Sequence, residues 1–146
     1  MIEEMADALS NEQRETIELS FPAHPDLVVL ARFAAATVAA RAGFDVEEIE
    51  DLRLAVDELC VSFGPMAEDG CIRMELDRFE ETVSIVGSFE PFSWARSVDQ
   101  EPKDSNWERA AELSELLLDS LVDEHGRETR NGRSVAWLRK RRASAR

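Results

Sequence analysis

Residues 45–63 read DVEEIEDLRLAVDELCVSF, and they set the rest of the chain in order. Asp45 followed three residues later by Glu48 has the form of a capping box, in which each side chain serves a backbone N–H freed at a helix start. Ile49, Leu52, Val56, Leu59 and Phe63 then recur at helical spacing and form one apolar stripe. Gly64-Pro65 ends the pattern. The stretch is therefore an amphipathic helix that needs a second layer to cover its stripe.

Toward the N-terminus, Gly43 is a natural stop for a preceding helix, expected from about Pro25 to Ala42 with Leu27, Leu30, Ala31, Ala34 and Val38 as its stripe. Pro25 suits a first helical position and Asp26 favours the positive helix start. Before it, Ile17, Leu19 and Phe21 alternate with Glu18 and Ser20, the signature of a half-buried strand. Residues 1–14 are acidic and weakly patterned and read as a mobile arm.

Toward the C-terminus, Ile72, Met74 and Leu76 alternate with Arg73, Glu75 and Asp77. Val83 and Ile85 resume the pattern after a short link at residues 78–81, which implies an antiparallel hairpin. Residues 90–105 read as a loop rich in Pro, Ser and charge. Ser105-Asn106-Trp107-Glu108 forms a second capping box, opening a helix with Trp107, Ala110, Leu113, Leu117 and Leu121. A weak strand near 123–130 and a last strand at 133–139, with Val135 and Trp137 on one face, complete the order β-α-α-β-β-α-β-β. That order predicts an α/β two-layer sandwich: a mixed, mostly antiparallel sheet covered on one face by three helices, in one domain over residues 15–142 with a short basic tail end at 143–146.

Composition narrows the functional classes. The chain of 146 residues is 44% apolar, ordinary for one globular domain, and no run approaches the ~18 apolar residues of a membrane span. No basic-then-apolar leader opens it, so a cytoplasmic setting is expected, with Cys60 and Cys71 as reduced thiols rather than a disulfide. Five of the 17 cations fall in residues 139–146, which hold no acid; the preceding residues thus carry 12 cations against 31 acids. Such a body repels nucleic acid and should attract a basic partner, with solubility alone as the alternative reading. The basic stretch itself reads as the solvated end of the last strand.

Three segments together resemble a known family. They are Leu19-Ser20-Phe21-Pro22-Ala23 leading into the helix with Arg32, the stretch Asp51-Leu52-Arg53-Leu54-Ala55-Val56-Asp57-Glu58-Leu59-Cys60, and Leu116–Asp123 leading through Gly132 to Val135-Ala136-Trp137-Leu138-Arg139-Lys140. In this order they resemble the RsbW-type anti-sigma serine kinases of the GHKL (Bergerat-fold) ATPase superfamily, the actinobacterial branch above all. The resemblance covers roughly residues 16–142 and implies a sigma-factor-binding regulator that partners an anti-anti-sigma (STAS) protein, forms a homodimer and, where active, is a kinase using ATP and Mg²⁺.

The nucleotide motifs of that family are altered here. Glu58 stands where the family keeps its general base, but the position four residues on, which the family fills with a Mg²⁺-holding Asn, is Ser62. Residues i and i+4 share a helix face, so both would meet one ligand. The Asp-x-Gly-x-Gly element is reduced to Gly87 in Val86-Gly87-Ser88-Phe89-Glu90-Pro91, with Phe89 where a small residue is expected. Residues 88–125 contain no glycine, so the Gly-rich phosphate loop is missing as well. Glu58 is thus either a kinase base or a helix-surface carboxylate, and the altered motifs favour the second, a chain that is not an enzyme and needs no cofactor. Arg32 matches a helix-one arginine that the family uses on its partners, and a guanidinium can fork onto a partner carboxylate; a snorkelling surface arginine is the alternative.

Overall fold

The computed structural model describes residues 14–63, 70–92 and 105–143. The expected N-terminal arm up to residue 13, the Gly64-Pro65 stop, most of the 90–105 loop, the side chains of the second capping box through Trp107, and the last three residues lie outside that description.

Five strands and three α-helices follow the anticipated order: β1 (Arg14–Pro22), α1 (Val28–Arg41), α2 (Val46–Val61), β2 (Gly70–Phe79), β3 (Thr82–Pro91), α3 (Ser105–Leu121), β4 (Glu124–Arg130) and β5 (Arg133–Arg141). The sheet order is β1-β2-β3-β5-β4, and each described pairing is antiparallel, so no parallel pair makes the sheet mixed. Ile17, Leu19 and Phe21 stand opposite Leu76, Met74 and Ile72, which stand in turn opposite Ile85, Gly87 and Phe89. Ala136, Leu138 and Lys140 of β5 extend that row. This alternation turns one face of the sheet toward the helices. The other face carries Glu18, Ser20, Arg73, Glu75, Val86 and the Val135–Trp137 pair.

The helices lock onto the inner face through Leu52, Ala55, Val56 and Leu59 of α2, the middle helix, and through Val28, Ala31, Ala35, Val38 and Ala39 of α1. The Asp45–Glu48 capping box forms as anticipated, and Glu48 also accepts the Ala143 N–H at 2.7 Å, tying the chain's end to the start of α2.

Two stripes differ from expectation. In α1 the buried positions are Val28, Ala31, Ala35, Val38 and Ala39, and Leu30 faces solvent. Nearly every α1 residue is apolar, so periodicity alone does not fix which side faces the sheet. Pro25–Leu27 forms a 3-10 turn ahead of the α-helix, with the His24 ring accepting from Asp26 N–H. In α3 the buried residues are Ala111, Ser114 and Leu118, continued by Val122, while Leu113 and Leu117 point outward.

Part of the basic C-terminal stretch is folded in, while Arg139 and Arg141 remain exposed. Lys140 is 4% exposed and donates to the Leu121 carbonyl at 2.7 Å, occupying the negative end of α3. Arg139 pairs with Glu124, and Arg142 pairs with Glu81.

Candidate functional site

Pairing places the end of β1, the start of β2 and the end of β3 together: Pro22 stands opposite Cys71, and Gly70 opposite Pro91. The chain therefore leaves this end of the sheet to begin α1, returns to it at the end of α2, and leaves it again with α3. Consequently α2 runs antiparallel to both neighbours, and its last turns meet α3 near Ser114. This is where Glu58 and Ser62 lie.

Glu58 is half-buried on the side of α2 that faces α3, and the Ser114 hydroxyl of α3 donates to its Oε2. Sequence reasoning missed Ser114, because nothing local marks a serine whose partner lies 56 residues away. The residue before Glu58, Asp57, turns the other way, toward α1, where Arg32 Nε stands 3.2 Å from its Oδ1. Arg32 Nε is buried, and its contact with Asp57 is an ion pair without the alignment of a hydrogen bond. Burial pushes the Asp57 carboxyl above the usual range; Arg32 pulls it back and neighbouring Glu58 adds to the rise. Arg32 and Glu58 are thus joined through consecutive residues of α2, so one polar line crosses all three helices.

Gly87 sits in β3 on the helix-facing side, roofed by Phe63: a Cβ there would meet the Phe63 ring at 3.0 Å and Leu59 at 3.5 Å. Phe89, two residues on, packs its ring over Gly70, where a Cβ would lie only 2.5 Å from it. Two aromatic rings thus fill the sheet end beside Ser62. Cys60 is buried with its thiol pushed up to about 12 by burial and by nearby Asp57, against a smaller opposing pull from Arg32. Cys71 is half-buried, with Ser20 Oγ 3.9 Å from its sulfur, and both cysteines are free thiols.

A nucleotide with Mg²⁺ needs an amide or carboxylate oxygen for the metal, an open strand end for the base and flexible backbone for phosphate. Among the described residues, Ser62 offers a short hydroxyl, Gly87 is closed over by Phe63, and Glu58 is bound to Ser114. These residues do not fit Mg·ATP in the manner that the resemblance implies.

Residues 21–140 match the histidine kinase-like ATPase domain family. Among curated proteins, the serine-protein kinase RsbW of Bacillus pumilus (strain SAFR-032) is 31% identical over 88% of this chain and 88% of its own length. RsbW of Bacillus subtilis (strain 168) is 29% identical over 84% of each chain, and RsbW of Listeria monocytogenes (strain EGD-e) 33% identical over 75% of this chain and 77% of its own. The matched span takes in β2, β3, β4 and most of β5 together with all three helices, and no described helix is long and apolar enough to cross a membrane. The chain belongs to the histidine kinase-like ATPase domain family, in its RsbW-type branch of anti-sigma factors and serine-protein kinases.

Proposed function

We propose that this chain restrains an alternative sigma factor by sequestration, denying it to RNA polymerase, and that a STAS-type anti-anti-sigma protein competes it off without phosphoryl transfer. The observation that carries this reading is the hydrogen bond from Ser114 to Glu58: the carboxylate at the family's base position is engaged by the neighbouring helix, beside a serine in place of the metal-holding amide. Partner binding needs none of the altered motifs. α1 exposes Leu30 and Phe33 close to Arg32, and the Arg32 guanidinium stays partly exposed although its Nε is buried against Asp57, so a partner carboxylate can compete for it. The acidic body favours a basic DNA-binding domain and disfavours nucleic acid itself. In this reading the chain works in the cytoplasm, needs neither ATP nor Mg²⁺, and pairs as a homodimer, with the edge of β1 that no described strand covers available to a second copy.

The relatives are named serine-protein kinases, which favours a second reading, an active ATP-dependent serine kinase with Glu58 as base. Co-purification with each alternative sigma factor of the host, with and without Mg·ATP, separates the two. Sequestration expects capture that is indifferent to nucleotide. ATP binding at physiological concentration, with phosphate transfer to a STAS protein abolished in Glu58→Ala, would establish the kinase instead.

A further inference from the structure

We propose that α2 and α3 together form a second docking surface, apolar along its crest and acidic at its margins, which takes a cationic amphipathic helix from a partner protein. The proposal goes beyond the α1 reading and does not depend on it. α3 leaves Leu113, Leu116 and Leu117 at 57%, 66% and 38% exposure, and α2 leaves Leu54 at 53%. Spacings of three and four residues put the three leucines on one face, away from Ala111 and Leu118, which serve the core.

The two helices run antiparallel, and Glu58 meets Ser114. The turn before Glu58, which carries Leu54, therefore lies beside the turn after Ser114, which carries Leu117. Four large apolar side chains thus form one ridge rather than scattered exposures.

Charge identifies the occupant. α2 brings Glu47, Glu50 and Asp51 to its outer and α3-facing sides, and α3 brings Glu108, Glu112, Glu115 and Asp119. Some of these acids are already engaged: Arg53 pairs with Glu50, and on β4 Arg127 pairs with Glu115 and His125 contacts Asp119, so Glu47, Asp51, Glu108 and Glu112, set against Arg109, carry the acidic excess. An apolar crest with acidic margins is the complement of a helix carrying leucine-like anchors on one side and Lys or Arg on the other. An anionic membrane or nucleic acid would meet repulsion. A second copy of this chain would bring acid to acid, and cations in and just after its own last strand are committed: Arg133 to Glu90, Arg139 to Glu124, Lys140 to the Leu121 carbonyl and Arg142 to Glu81.

The test uses a fluorescent Leu/Lys peptide of about five helical turns with Leu at i, i+3, i+4 and i+7, a scrambled peptide of equal composition, and the full chain. The patterned peptide is expected to bind at least about tenfold more tightly than the scrambled one. Leu113→Gln combined with Leu117→Gln, which preserves charge, is expected to weaken it by about tenfold or more with the helical circular dichroism unchanged, whereas Arg32→Ala leaves it unaltered. Equal binding of the two peptides, or unchanged binding by the double variant, overturns the proposal. So does a homodimer that Leu116→Gln dissociates in sedimentation, which would assign the ridge to a second copy. Failure of sigma-factor capture with peptide binding intact would count against the α1 reading alone.

Discussion

Ser114 in α3 donates its hydroxyl to the carboxylate of Glu58 in α2, and this contact sets the register between the two helices at the end of the sheet. Ser114 is buried, so its loss leaves a charged acceptor in a half-dry site. Ser114→Ala should therefore destabilise the fold by about 1 to 2 kcal/mol in urea unfolding, and Glu58→Gln, which keeps an acceptor oxygen, by less. Equal stability of Ser114→Ala and the wild type would show that the contact carries no weight.

Glu15 of β1 is gripped by Arg41 at the end of α1 and Arg78 of β2, closing the opposite end of the molecule. Hydrogen bonds from Arg41 and then Arg78 hold its carboxyl down at about 2 from an ordinary 4.5. A depressed folded value contributes stability that is present above the unfolded value and is lost as pH falls through the folded one. The Glu15 contribution should thus persist above pH 4.5 and vanish as pH falls toward 2. Carbon-detected NMR titration of the Glu15 carboxyl should report the low midpoint, and Arg41→Ala should bring it back toward the ordinary range.

Much of this fold was legible in the chain, and the exceptions share a physical origin. Residues 72–85 and the α2 stripe were plain because polar and apolar positions alternate cleanly there, so only one phase buries the apolar set. α1 and α3 were recognisable as helices but not as oriented ones: α1 is apolar nearly all round, and α3 carries leucines on two sides, Leu118 inward and Leu116 outward. At the site, Glu58, Ser62, Gly87 and Arg32 were identifiable only through a family pattern. Their surroundings were not, because Ser114, Phe63 over Gly87 and Asp57 against Arg32 are contacts made in space by residues with no distinctive spacing.

The Cys60 thiol, buried and pushed up to about 12, should remain protonated at neutral pH and resist alkylation in the folded chain. Mass spectrometry after iodoacetamide at pH 8 should find Cys71 modified well before Cys60, with Cys60 reacting only once the fold is opened by denaturant. Comparable rates for the two would contradict the buried placement of Cys60.

The two-residue β2–β3 turn places Glu80 at φ 54°, a left-handed conformation that a β-carbon disfavours. Glu80→Gly should relieve that strain and raise stability by about 0.5 to 1 kcal/mol, read as a higher urea midpoint with an unchanged slope. A lower midpoint would mean that the glutamate side chain contributes more than its backbone costs.

The buried ammonium of Lys140 has a consequence for how the molecule is closed. Because it reaches from the last strand to the Leu121 carbonyl, the final residues latch the C-terminal end of the helix bearing Ser114 and the leucine ridge. Sliding β5 by a single position would swing Lys140 into solvent and turn Arg141 inward, away from the one carbonyl that satisfies it. The last strand thereby acts as a keystone for the helix that carries the leucine ridge.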